Sequence, residues 1–184
     1  MLLDIFTKKN MMGIVKCERL DDEDNVIETI FQEKNLIVSD SGYLFSRFMA
    51  GEDIKGIKYI VLGDMNLDEN DDLKNVRPPS CNDYELENEV FRKEIDVETY
   101  EDVGGYGVTF SIVLEKDECN GSNGEQLITE YGLLSESVYK NTGNDDKDDK
   151  NIMFSRKTRA AIYKNYEMKL KFSWTIYFKK TCDK

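Results

Sequence analysis

Glu167-Met-Lys-Leu-Lys-Phe-Ser-Trp-Thr-Ile-Tyr-Phe-Lys179 alternates without a slip. Met168, Leu170, Phe172, Trp174, Ile176 and Phe178 fall on one side, and Lys169, Lys171, Ser173, Thr175 and Tyr177 on the other. Successive side chains of a strand point to opposite faces, so this pattern predicts a strand whose apolar face other parts of the chain must cover. Burying a Leu- or Phe-sized side chain contributes about 1.5–3 kcal/mol, which makes Phe172, Trp174, Ile176 and Phe178 the predicted structural core. Met153 to Asn165 feeds this strand.

Working outward, Met12 to Cys17 and Val26 to Phe31 are β-type runs on either side of Asp21-Asp22-Glu23-Asp24-Asn25, which predicts a hairpin. Ser39-Asp40-Ser41-Gly42 offers a helix N-cap. Tyr43, Leu44, Phe45, Phe48 and Met49 follow at helical spacing up to Gly51, giving one short helix. Ile57 to Leu62 is almost continuously apolar, as expected of a strand buried on both faces. Glu89 to Val97 reads as a strand whose partner is Tyr106 to Glu115, and Gln126 to Leu134 as another strand. The passage 64–82, with Pro78-Pro79 in it, and the polar stretch 141–151 read as inserted loops. Short strands punctuated by Gly, Asn and Asp turns predict a mainly β chain: an antiparallel β-sandwich or jelly-roll-like single domain over residues 1–184, its core spanning about 12–179.

The composition narrows the chemistry. The chain of 184 residues has 25 basic and 37 acidic side chains, a formal charge of −12, and no histidine. A surface of that sign repels nucleic acid. Without histidine the usual general base and the Ser-His and Cys-His dyads are missing, and no cofactor motif is present. Cys17, Cys81, Cys119 and Cys182 form no C-x-x-C pair and read as free thiols. The apolar start, Met-Leu-Leu-Asp-Ile-Phe, is too short for a signal peptide and no long apolar run follows, so the expectation is a cytoplasmic product without membrane insertion.

Two charge patterns stand out. Asp64, Asn66 and Asp68 occupy positions 1, 3 and 5 of an EF-hand-like loop, a weak calcium signal. Glu69 stands where that loop needs glycine and Asn75 where it needs a bidentate glutamate, which favours a solvated acidic loop. Arg156, Lys157 and Arg159, followed by Lys164, Lys169, Lys171, Lys179 and Lys180, gather basic residues near the C-terminus. They read either as a solvated sheet face or as assembly contacts that meet an acidic loop of a neighbouring copy.

Three blocks in order, Tyr59-Ile-Val-Leu-Gly-Asp64, Leu86-Glu-Asn-Glu-Val-Phe-Arg-Lys-Glu-Ile95, and Ile128-Thr-Glu-Tyr-Gly-Leu-Leu134 leading to Met153-Phe-Ser-Arg156 and Phe172-Ser-Trp-Thr-Ile-Tyr-Phe178, resemble a β-rich module. It is that of structural proteins from tailed bacteriophages and phage-tail-like contractile particles. The resemblance implies a non-enzymatic subunit of a neck, collar, baseplate or fibre attachment. Such a subunit assembles in several copies (a trimer, hexamer or larger ring) with other particle proteins in the bacterial cytoplasm. It also implies Gly63 and Gly132 as turn or bulge positions, Glu89, Arg92, Glu130 and Arg156 as inter-strand ion pairs, and Trp174 as core. The alternative is a carbohydrate- or receptor-binding module in which Tyr100, Tyr106, Tyr139, Tyr163 and Tyr166 form a sugar platform.

Overall fold

The side chain of Asp21 closes the first turn of the chain by accepting hydrogen bonds from the backbone N–H groups of Glu23 and Asn25, both at 2.9 Å. This joins β1 (Met11–Leu20) to β2 (Val26–Ile37) as an antiparallel hairpin with two register shifts. The computed structural model describes residues 11–67, 71–72, 76–101, 105–140, 147 and 149–179, with only the backbone described at 97–98, 100–101, 105 and 179. Helix α1 (Asp40–Met49) and strands β3 (Ile57–Gly63), β4 (Glu89–Glu94), β5 (Val97–Glu101), β6 (Gly105–Leu114), β7 (Glu125–Val138), β8 (Asn151–Asn165) and β9 (Lys169–Lys179) complete the described elements.

The chain forms two compact units. The first comprises the chain up to Asn35, Glu94–Ile128 and the chain from Ala161 onward. At its centre β9 lies antiparallel between β1 and β6, so that Trp174 is flanked by Val15 and Phe110, and Phe172 by Cys17 and Ile112. Leu170, Phe172, Trp174 and Ile176 have no more than 1% of their surface exposed, while Phe178, near the strand end, is half-buried. The opposite face carries a ladder of small hydroxyls, Thr109 to Thr175 at 2.8 Å and Ser111 to Ser173 at 3.2 Å.

The second unit comprises Leu36–Lys93 and Thr129–Ala160. Here β3 pairs antiparallel with β7, and every residue from Ile128 to Ser135 is buried, so this strand is covered on both faces. Val38, Val61, Leu86, Leu134 and Met153 make one packed cluster. Gly132 is neither a turn nor a bulge. It sits in regular register opposite Val61, and a Cβ there would come within 2.8 Å of Val61 Cγ2 and 3.3 Å of Leu86, so the glycine admits those two side chains.

The chain is mainly β with one short helix among the described residues, and the ladders of registered pairs are antiparallel. The sandwich expectation is corrected. A sandwich needs two separate sheets, whereas these strands hydrogen-bond in one nine-stranded order, β4-β3-β7-β8-β2-β1-β9-β6-β5. The length of β2 causes this: it pairs with β1 as far as Asn35 and then with β8 at Leu36 and Ile37.

The predicted strand Glu89 to Val97 is two strands, and it is β5 that pairs with β6. Asp96 makes the break. Its N–H donates to Ser111 O at 2.9 Å and its carboxylate accepts from Val113 N–H at 2.8 Å. In α1 the expected Ser39 cap is absent: Ser39 is itself in helical conformation without a side-chain cap bond. Leu44 faces the interior, but Phe48 and Met49 are 67% and 80% exposed.

Candidate functional site

Gly63, the last residue of β3, stands opposite Glu130 of β7. A Cβ at position 63 would lie 2.4 Å from Asn88 O and 2.5 Å from Glu130 Oε1, so only glycine leaves room for that carboxylate and for the backbone passing over it. Glu130 is fully buried. Its Oε1 accepts from the N–H groups of Asn88 (2.9 Å) and Met65 (3.3 Å), and its Oε2 from Glu87 N–H (3.1 Å) and Arg156 Nη2 (2.5 Å). A buried charge is tolerated only when paired and hydrogen-bonded, and this one has four donors.

Arg156 of β8 is 1% exposed and extends the network, donating from Nη1 to Asp83 Oδ2 at 2.6 Å. The segment 77–88 thereby becomes a strap across this unit. Leu86 anchors it in the apolar cluster, Thr158 Oγ1 donates to Arg77 O at 2.8 Å, and Ser39 N–H donates to Cys81 O at 2.8 Å. Arg77 pairs with Glu87 and lies 3.7 Å from Asp83. The Glu87 hydrogen bond raises its already high pKa further. The strap borders a concavity of about 210 Å³, lined by Arg77, Asn82, Tyr84, Glu85 and Arg156 among others. Each of its carboxylates already meets a cation of the same chain: Asp83 with Arg156, Glu87 with Arg77, and Glu85 with Lys150 at 2.6 Å. The arrangement fixes loops to a sheet.

Of the basic residues assigned to assembly, Arg156 is buried and engaged within its own chain, while Lys157 and Arg159 are half-buried along β8. Of the ion pairs implied by the resemblance, Glu130 and Arg156 join β7 to β8, but Glu89 and Arg92 pair within β4, at 2.7 Å. Two of the calcium candidates, Asp64 and Asn66, share one turn. Asp64 Oδ1 accepts from Asn66 N–H (3.0 Å) and from Asn88 Nδ2 (2.8 Å), closing the turn after β3 onto the strap. Asp68 lies outside the described residues, and among those described no group of three or more Cys, Asp or Glu side chains is arranged to hold a metal.

Of the five tyrosines expected to form a platform, Tyr106, Tyr163 and Tyr166 are exposed. Tyr139 is buried, and the Tyr100 side chain lies outside the described residues. Tyr106 pairs with Phe178 at one end of β9, whereas Tyr166 precedes its other end, a strand length of roughly 30 Å away.

Sequence reasoning missed a second buried charge. In the first unit Lys164 is fully buried and donates to Asn120 Oδ1 (3.0 Å), Asn165 O (3.0 Å) and Lys116 O (3.4 Å). Burial lowers its pKa, and the same surroundings push the Cys119 thiol up to about 12. A signal for Glu130 was available: it shares the apolar face of Gly132 and Leu134. Alternation placed Lys164 with Ile162 in the same way. No protein-family model, curated protein or solved structure matches this chain.

Proposed function

We propose that this chain is a non-enzymatic structural subunit of a bacteriophage tail or phage-tail-like particle, of the neck, collar, baseplate or fibre-attachment kind. It works by multi-copy protein–protein assembly with other particle proteins, in the bacterial cytoplasm and then in the particle. One observation carries most of this reading: the buried ionic groups, Glu130 and Arg156 above all, fasten the irregular segment 77–88 to a sheet. A packing subunit needs surface loops of fixed shape, because its neighbours bind by repeated contacts rather than by one deep pocket. Exposed apolar side chains at Val26, Ile27, Phe48 and Met49 are further support, as material for such contacts.

The test is the native mass by light scattering during size-exclusion chromatography, with negative-stain imaging of any large fraction. A trimer, hexamer or larger ring is the expected result. A strict monomer at every concentration, together with saturable binding on a glycan array, would replace this reading with the receptor-binding one.

A further inference from the structure

Glu130 and Arg156 are buried as a pair, whereas Lys164, equally buried, has no carboxylate in hydrogen-bond contact among the described residues. Its Nζ meets three uncharged oxygens: Asn120 Oδ1 at 3.0 Å, Asn165 O at 3.0 Å and Lys116 O at 3.4 Å. Burial without a counter-ion favours the neutral amine, and it lowers the Lys164 pKa against the opposing influence of Cys119, Glu118, Asp117 and Glu115. A desolvated neutral lysine is a nucleophile. The group it touches is fixed as well. Asn120 is 5% exposed and donates from Nδ2 to Lys116 O at 2.7 Å. One carbonyl therefore holds the lysine nitrogen and the carboxamide nitrogen together, and the contact with Oδ1 leaves Nζ next to Cγ, the electrophilic carbon. The backbone on either side of Asn120 is constrained, since Cys119 and Gly121 both take the left-handed region, at φ 54° and 61°. Lys116, Asn120 and Lys164 all belong to the first unit.

We propose that Lys164 and Asn120 form an intramolecular isopeptide bond, Nζ to Cγ, which staples the turn after β6 to the end of β8. The Lys164 ammonium first gives one proton to water. The Nζ lone pair then adds to Cγ as the C=O electrons move onto Oδ1. When the carbonyl re-forms, the Cγ–Nδ2 bond breaks, and Nδ2 takes one proton from Nζ and leaves as ammonia, which picks up the proton first released. An ammonium and a carboxamide thus become a secondary amide and an ammonium ion, and nothing is oxidised or reduced. The fold supplies proximity, which in well-oriented intramolecular reactions reaches effective concentrations of about 10⁵–10⁸ M. The bond replaces a buried cation by a neutral amide and closes a covalent loop between positions 44 apart, so it outlasts unfolding. It is independent of the assembly reading, since a monomer and a ring could equally contain it.

The test is peptide mapping by tandem mass spectrometry of the full chain, freshly purified and after prolonged warming below its Tm. The expected product is a branched peptide that joins Asn120 to Lys164, in a chain lighter by one ammonia. Its fraction should be complete at the outset or grow with time in the folded protein, while any unlinked remainder stays unlinked in urea, where the two groups are apart. Lys164→Met, which keeps an unbranched side chain without the amine, should give no branched peptide. Loss of ammonia alone does not decide, because Asn120 precedes Gly121 and such a pair also closes to a succinimide, which leaves a linear peptide. Three results would overturn the proposal: Asn120 and Lys164 recovered only on separate peptides after warming of the folded wild type, a linear succinimide or aspartate peptide that accounts for the whole mass change, or equal growth of the branched peptide in urea. Should Lys164→Met fail to fold, the wild-type map decides by itself.

Discussion

Glu130 is fully buried, and a carboxylate in that place depends on the donors that converge on it. Removing one partner of a buried pair leaves the other uncompensated, at a cost of about 3–5 kcal/mol. Glu130→Ala should therefore lose about that much in chemical denaturation, and should also loosen the strap so that glutamyl endopeptidase cuts after Glu85 and Glu87 in the folded protein. Equal loss of stability without the new cleavages would show that the carboxylate supports the sheet and not the strap.

Cys119 offers a residue-scale test of burial. Its thiol stays protonated up to about 12, against 9.0 in an open chain, so the fold binds this proton the more tightly. That contribution to stability is intact below about pH 9 and fades as pH rises toward 12. At pH 8, site-resolved mass spectrometry should find Cys119 alkylated by iodoacetamide much more slowly than the exposed Cys81. Equal rates would show the Cys119 loop to be open. These residues were legible as types but not as sites. A Glu or Lys on an apolar face is a visible anomaly, yet partners such as Arg156, Asn88 and Glu87 for Glu130 and Asn120 for Lys164 lie 26 to 44 positions away, which spacing does not reveal.

At the scale of elements, period-two alternation read β9 from sequence because that strand is covered on one face by apolar groups and backed on the other by Thr and Ser. Trp174 lies between Val15 and Phe110 and is fully buried. Trp174→Ala should cost about 3–5 kcal/mol, read as a shift in the denaturation midpoint with unchanged slope. An unaltered midpoint would remove β9 from the centre of the core. The boundary between β4 and β5 escaped the same reading, since alternation runs on through Ile95 and Asp96 and only the hydrogen bonds of Asp96 to β6 reveal the break. The helix was legible as a helix but not as a face. Tyr43, Leu44, Phe45, Phe48 and Met49 all satisfy the period, but Tyr43 stacks on Tyr139 and Phe45 meets Phe154 edge-on, while Phe48 and Met49 stay exposed. The stretch 141–151 read as a charge-neutralised loop, and nothing in its sequence tells that Lys147 and Lys150 reach Asp40 and Glu85.

For the whole molecule the deciding quantity is the sign of the interaction between copies. Sequence suggested that a basic C-terminal region could meet acidic loops of a neighbour. Several of those cations are engaged at home: Arg156 with Glu130 and Asp83, Lys169 with Asp24 and Glu115, and Lys164 inside the first unit. With them neutralised internally, copies carrying a formal charge of −12 repel, and any association must come from apolar surface such as Val26, Ile27, Phe48 and Met49. The two accounts have opposite salt dependences. Repulsion between like copies acts over about 30 Å at 0.01 M salt and about 10 Å at 0.1 M, so screening should favour association. The mass measured by light scattering should therefore rise as sodium chloride is raised from about 0.02 to 0.5 M, a range chosen from the screening length. Ile27→Lys, which places a charge on an exposed apolar position of β2, should blunt the rise without lowering Tm if that surface takes part. A mass that falls with salt would mean that opposite charges still join the copies, and would return the exposed part of the C-terminal basic region to the interface.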